Sequence, residues 1–121
     1  MDTTIQADAA SAWIHTEGRA ALATLRETFE PKGFALRWGT VGNRQTGPGF
    51  SIELSRQGVQ AMLYSLRLCT GPHGTQPAKT VSRRGEDARA EPFWSRSGSV
   101  SLNELDSRDV VADFLTALRE G

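Results

Sequence analysis

Cysteine and histidine are scarce in this chain of 121 residues, which has one cysteine, Cys69, and two histidines, His15 and His73. One cysteine cannot form an internal disulfide, and three such side chains cannot complete a four-coordinate zinc site. Nucleophilic catalysis needs a base beside the nucleophile and a third group that orients this base. Cys69 and His73 are close in sequence, but a cysteine at a strand end is typical of a small buried residue. We expect no enzyme, no metal and no cofactor.

Long apolar runs are also missing. No stretch approaches the roughly 20 consecutive apolar residues that a membrane-spanning helix needs. The first residues, MDTTIQADAASAW, contain two aspartates but neither an early basic residue nor an apolar core, unlike a secretory signal peptide. We therefore expect a cytoplasmic protein that does not bind a membrane.

A phosphate-binding loop is not indicated. Residues 42–49, GNRQTGPG, are rich in glycine but lack the Gly-Lys-Ser/Thr ending and the following helix that phosphate binding uses. They are more typical of a hairpin loop. The composition, 38% apolar and 23% charged, is that of an ordinary folded protein, and the length predicts a single domain over residues 1–121.

Charge is balanced overall but unevenly distributed. Residues 1–30 contain two basic and five acidic residues, residues 31–99 contain ten and four, and residues 100–121 contain two and five. The net charges of the three parts are therefore −3, +6 and −3. This pattern predicts a basic surface from the middle of the chain and acidic surfaces from its ends.

Helices are predicted at both ends of the chain. Within residues 1–30, apolar residues recur every three or four positions until Pro31 stops the helix. Gly18 lies on this stripe and predicts close packing against a strand, whereas Trp13 projects away from it as a rim residue or an exposed contact. A second helix is predicted to begin at Asp106 or Ser107. Its apolar face would consist of Val110, Val111, Phe114, Leu115 and Leu118.

Strands with two-residue alternation lie between the helices. They are predicted at residues 34–39, 50–55 and 59–69, with a tight turn at Gln57-Gly58. Lys79–Ser82 predicts a fourth, edge strand, and Phe93-Trp94 begins a further short strand or docks a loop. The fold class is therefore α+β: an N-terminal helix, an antiparallel three- to five-stranded meander and a C-terminal helix, with the helices packed on one sheet face. The helices would then be acidic outside, and the open sheet face basic.

Two binding functions fit this layout. A basic sheet with aromatic side chains is how several single-strand nucleic-acid binders work, and the element order matches double-stranded-RNA-binding domains. That family grips phosphates with lysines at the start of its last helix, where this chain has Asp106 and Asp109. Negative charge there would repel a nucleic-acid backbone, so nucleic acid is the alternative and a protein partner the main expectation. The residues we expect to contact an acidic partner surface are Arg37, Arg44, Arg56, Arg83, Arg84 and Trp94.

The layout also resembles a known family. A leading helix with Ala12-Trp13-Ile14, a meander entered at Gly33-Phe34 and a closing helix with the segment at 109–115, DVVADFL, are similar to the TriTu-type immunity proteins of bacterial polymorphic toxin systems. This resemblance implies a cytosolic antitoxin that occludes the active site of a cognate toxin, in the namesake case an ADP-ribosyltransferase acting on elongation factor Tu. A secretion-chaperone-like adaptor is a further alternative of similar size.

Overall fold

Two helices cover one face of a five-stranded sheet. The computed structural model of the chain describes residues 9–43, 47–72, 74–98 and 101–119. Helix α1 occupies residues 9–29 and contains a π-helical stretch at Ile14–Gly18 and an α-helical stretch at Arg19–Phe29. A 3-10 turn at Glu30–Lys32 follows it. Helix α2 is Ser107–Arg119, and a separate 3-10 turn at Leu102–Glu104 precedes it.

The strands lie side by side in chain order, and each neighbouring pair is antiparallel. This confirms the predicted α+β class, with a helix at each end, an antiparallel meander between them and both helices on one sheet face. The strands are β1 (Phe34–Asn43), β2 (Gly47–Arg56), β3 (Val59–Gly71), β4 (Gly74–Arg83) and β5 (Arg89–Glu91).

Strand β4 differs from its prediction. The sequence pattern predicts a short edge strand at Lys79–Ser82, whereas β4 is longer and lies between β3 and β5. The alternation is hidden because Lys79, a charged residue, occupies a position on the buried face next to Val81. Phe93-Trp94 begins no strand; the two residues follow the short strand β5 (Arg89–Glu91) in an irregular segment, and Phe93 packs partly buried against the core, which is the docked-loop alternative.

The turn between β2 and β3 confirms the tight-turn prediction. Arg56 pairs with Val59, so the connection has two residues, Gln57 and Gly58. Both have positive φ, 54° and 77°, which is the backbone of a type I′ hairpin turn. A bulge follows within β3, because Leu54 pairs with Met62 while Ser55 pairs with Gln60.

Trp13 is buried, in contrast to its predicted place on the rim. In the π-helical stretch Ile14–Gly18 the backbone hydrogen bonds span five residues instead of four, as from the N–H of Arg19 to the carbonyl of Ile14, so a turn takes up more residues than an α-helical turn. The residues before it are therefore rotated relative to the apolar stripe, which brings Trp13 toward the core. Its Nε1 donates a hydrogen bond to the carbonyl of Leu105 at 3.0 Å, so this end of α1 is tied to the segment before α2.

Gly18 lets α1 approach the sheet closely, as predicted. The rings of Trp38 and Phe50 stack beneath it, with centroids 4.8 Å apart and planes within 2°. A Cβ atom at position 18 would lie 3.1 Å from the Trp38 ring and 3.3 Å from the Phe50 ring. Any larger side chain must therefore displace this stacked pair.

We predict that Gly18→Leu lowers the free energy of unfolding by about 2 kcal/mol or more, because the added atoms overlap the stacked rings. Ala20→Leu is the matched control, since residue 20 lies on the exposed side of the same helix. Urea unfolding followed by circular dichroism measures both changes. Equal stability of the two variants would contradict the close approach.

Candidate functional site

Lys79 and Asp113 form an ion pair in the interior, where α2 packs on the sheet. Lys79 Nζ donates to Asp113 Oδ1 at 3.0 Å and to the carbonyl of Pro92 at 3.2 Å. The hydroxyl of Tyr64 donates to Asp113 Oδ2 at 2.6 Å, and the backbone N–H of Trp94 donates to Oδ1 at 2.8 Å. Both carboxylate oxygens therefore accept hydrogen bonds, which is the condition under which a buried charge is tolerated.

The network continues from Lys79 to Glu91 and Arg83. Glu91 lies 3.9 Å from Lys79 Nζ and accepts two hydrogen bonds from the guanidinium of Arg83. Arg83 also donates from Nε and Nη2 to the carbonyl of Ala117, at 3.1 and 2.9 Å, near the C-terminal end of α2. The hydrogen bond from Arg83 holds the pKa of Glu91 below its usual range. Arg83 thus attaches α2 to β4.

This network joins three strands to helix α2, and its centre is buried. Tyr64 and Asp113 are fully buried, and Lys79 is 5% exposed. Burial, followed by the nearby charge of Asp113, raises the pKa of Tyr64 well above its usual value, so its hydroxyl stays protonated and donates.

Two aspartates of α2 hold the segment before it as a strap, residues 92–98. Asp113 accepts the N–H of Trp94, and Asp109 accepts the N–H of Arg96 at 3.1 Å. Four residues of helix rise about 6 Å and two residues of extended chain about 6.7 Å, so carboxylates at i and i+4 match alternate N–H groups. Asp109 also accepts the N–H of Asp106 at 3.0 Å, which closes the first turn of α2.

A surface depression lies around the β2–β3 turn. It has a volume of about 480 Å³. Two of its residues are arginines, and a third, Val59, is an exposed apolar side chain (45%). The residues that line it are Phe34, Arg56, Gln57, Val59, Gln60, Ala61 and Arg84.

Arg56 and Arg84 are held in place but keep their charges available. The guanidinium of Arg56 lies over the Phe34 ring, 5.4 Å from its centroid, and the backbone N–H of Arg84 donates to the carbonyl of Ala61 at 3.2 Å. Within the part of the chain that the structure describes, neither guanidinium forms a salt bridge. A pair of unneutralised arginines beside an apolar side chain is suited to binding carboxylates on a partner.

Of the five predicted contact residues that the structure describes, it brings Arg56 and Arg84 together at the depression. Arg37 lies on the open sheet face, with Nη2 3.0 Å from Glu53, and Arg83 belongs to the internal network. Arg44 lies outside the described residues.

Trp94 is half exposed (49%) but lies on the strap beside α2, away from the depression. Its backbone is fixed by Asp113, so the indole projects from a rigid support.

The open sheet face is less basic than expected. Two described basic side chains, Arg37 and Arg67, occupy it together with Glu53. Arg83 is absent from this face because it pairs in register with Met62, on the buried side. The other side chains on this face are mainly small, among them Ser51, Ser55, Ser65, Thr80 and Ser82.

Cys69 lines a smaller depression of about 290 Å³ near the β3–β4 turn. Its suggested partner, His73, lies outside the described residues. Among the described residues, no group of three or more His, Cys, Asp or Glu side chains could hold a metal ion, and no helix is long and apolar enough to cross a membrane.

The sequence did not predict that Val59 lines a surface depression, that Lys79 is buried, or that the aspartates of α2 are buried. A signal for the aspartates was present, because Asp109 and Asp113 lie on the same side of the helix as Val110 and Phe114. Lys79 gave no such signal, since its partner is 34 residues away.

Compared with protein-family models, curated proteins and solved structures, the chain matches none of them.

We predict that Asp113→Ala lowers the free energy of unfolding by about 3–5 kcal/mol, because it leaves Lys79 buried without its counter-charge. Lys79→Met added to Asp113→Ala should recover part of this loss, since it removes the unpaired ammonium group. Urea unfolding of the two single variants and the double variant measures the coupling. Additive losses would contradict a direct ion pair.

We predict that stability falls in acid and that Asp109 contributes to the fall. Burial opposes ionisation of Asp109, but hydrogen bonds from Arg96 and from two backbone N–H groups outweigh it and lower its pKa. A lowered folded-state pKa gives stability that is present above the unfolded value, about 4, and is lost as pH falls through the folded value. Asp109→Asn should therefore show a shallower loss than the parent chain between about pH 5 and pH 2. Glu27→Gln, on the exposed side of α1, is the control, and an unchanged slope in Asp109→Asn would refute the assignment.

Proposed function

We propose that this chain is a binding protein that covers an acidic surface of a partner protein, in the manner of an immunity protein that occludes a cognate bacterial toxin. The observation that supports this function is the depression at the β2–β3 turn. It combines two arginines that form no salt bridge within the described chain with an exposed valine. Arginine is among the residues that contribute most to binding at protein interfaces, and it does so when its guanidinium can pair with carboxylates of the partner.

The arrangement of the aromatic residues favours a protein partner over nucleic acid. Single-stranded nucleic acid stacks its bases on exposed aromatic rings. Here Tyr64 is buried beneath α2, and Trp38 stacks against Phe50 on the helix-covered face. The first turn of α2 presents Asp106, which accepts hydrogen bonds from Arg108 and Arg96 and leaves no cluster of free cations there.

Occlusion is favoured over catalysis because the ionisable groups are used internally. The titratable side chains around Asp113 are buried and bonded to one another, and the residues that line the depression include neither a nucleophile nor a carboxylate. Its side chains can bind a partner but offer no acid–base pair. A stoichiometric inhibitor needs only such a surface.

We predict that Arg56→Glu/Arg84→Glu weakens binding to the cognate toxin by about a hundredfold, as expected when two central contacts are reversed in charge. The test partner is the product of the adjacent open reading frame, which is co-expressed with the chain. Gel filtration measures co-elution, and growth measures rescue from toxicity. Arg108→Glu is the control, because Arg108 does not line the depression and its side chain is largely exposed.

Two results would contradict the proposed function. One is that the parent chain neither co-elutes with the neighbouring product nor rescues growth. The other is that the double reversal binds as tightly as Arg108→Glu.

A further inference from the structure

Strand β1 forms one edge of the sheet that the structure describes. It has ten residues, and within the described parts of the chain no other strand pairs with its outer side. The opposite edge is the three-residue strand β5. Natural proteins usually shorten or cover edge strands, because a long free edge can pair with another chain. β1 therefore differs from β5 as a surface.

The backbone groups on the free side of β1 can be assigned. The carbonyl of Leu36 accepts a hydrogen bond from Arg26 Nη2 at 3.2 Å, so it points away from β2. In an antiparallel ladder the N–H and C=O of one residue point to the same side, and successive residues alternate. The even-numbered residues from 34 to 42 thus present their donors and acceptors outward, and the odd-numbered ones bond to β2.

Arginines line this edge on its helix-covered side. The guanidinium of Arg19 lies 4.3 Å from the centroid of the Trp38 ring, and Arg56 lies over Phe34. Arg26 donates a hydrogen bond to the carbonyl of Leu36, which lies between Phe34 and Trp38 in β1. Among the described residues, one carboxylate lies within salt-bridge distance of these three cations: that of Glu30, which is 3.9 Å from Nε of Arg26. The edge is therefore positively charged.

We propose that an acidic, extended segment of the partner protein adds to the sheet as a sixth strand along β1. Its backbone would bond to the outward groups of Leu36, Trp38 and Thr40, and its carboxylates would lie on the helix side, beside the arginines. This inference rests on the proposed function. It extends the depression at the β2–β3 turn, because Phe34 both begins β1 and lines that depression.

Arg26 can leave its position without a large penalty. Its side chain is 46% exposed, so a displaced guanidinium returns to water and leaves no charge buried. A carboxylate of the incoming strand then replaces the Leu36 carbonyl as its acceptor, and the partner's N–H replaces Arg26 on that carbonyl. The exchange conserves the hydrogen bonds on both sides.

A second copy of the chain fits this edge less well than an acidic segment. Antiparallel pairing of two β1 strands would place the arginines of both copies along one seam. Like charges on adjacent strands destabilise pairing. Charge therefore selects a partner of opposite sign.

The test uses a synthetic peptide of alternating glutamate and threonine, as long as β1, and a matched peptide of alternating lysine and threonine. Fluorescence anisotropy of the labelled peptides measures affinity, and amide hydrogen exchange, read by NMR, locates the binding. Thr40→Pro removes one outward N–H, and an edge strand tolerates a proline at such a position. Thr40→Ala keeps that N–H and is the matched control.

We expect the glutamate peptide to bind and to slow exchange at the amides of Leu36, Trp38 and Thr40. Thr40→Pro should weaken this binding by about tenfold and Thr40→Ala should not, because the proline removes a hydrogen bond and obstructs the strand. The lysine peptide should not bind.

Three results would overturn the inference. They are the absence of glutamate-peptide binding, equal affinities of the proline and alanine variants, and a free chain that is dimeric with these amides already protected. Each leaves the proposed function open, since that function is decided by the neighbouring gene product and the Arg56/Arg84 reversal. If the complex with the neighbouring gene product is lost while the glutamate peptide still binds, it is the proposed function that fails and not the pairing at β1.

Discussion

The carboxylate of Asp113 holds together three parts of the chain that are far apart in sequence. It accepts hydrogen bonds from Tyr64 in β3, from Lys79 in β4 and from the backbone of Trp94. Burying a carboxylate and an ammonium group is costly unless each finds its partners, so the position of α2 over the sheet is narrowly determined. Displacement of α2 would break several of these bonds at once.

The same constraint places the strap and one end of α2. Because Asp109 and Asp113 are four residues apart on a helix, they bind alternate N–H groups of residues 94 and 96. Arg83 then bonds to the carbonyl of Ala117, so the other end of the helix is attached to β4. The polar groups of this region are consequently saturated, and Trp94 is exposed on a fixed backbone.

The carboxylates near α2 are paired internally, so arginines that lack a carboxylate partner lie in another region of the described chain. Arg56 and Arg84 at the β2–β3 turn, and Arg19 beside β1, have no carboxylate partner within the described chain. A neutral chain thus presents a locally positive surface, because its acidic residues near α2 are committed to internal hydrogen bonds. Both binding proposals depend on this separation.

The sequence by itself determined the elements whose periodicity is local. The apolar stripe of α1, the alternation at residues 34–39, 50–55 and 59–69, the Gln57-Gly58 turn and the last helix were predictable, because each pattern repeats within a few residues. The extension of β1 to Asn43 and of β2 back to Gly47, into the predicted loop at 42–49, was not predicted. Only the tertiary structure decided the roles of Trp13, Lys79 and Arg83. Trp13 turned inward through the π-helical stretch, and the two cations found partners more than thirty residues away. A pattern along the chain shows which residues share a face, but the partner of a buried charge is chosen by packing between elements, and that depends on contacts the sequence order does not contain.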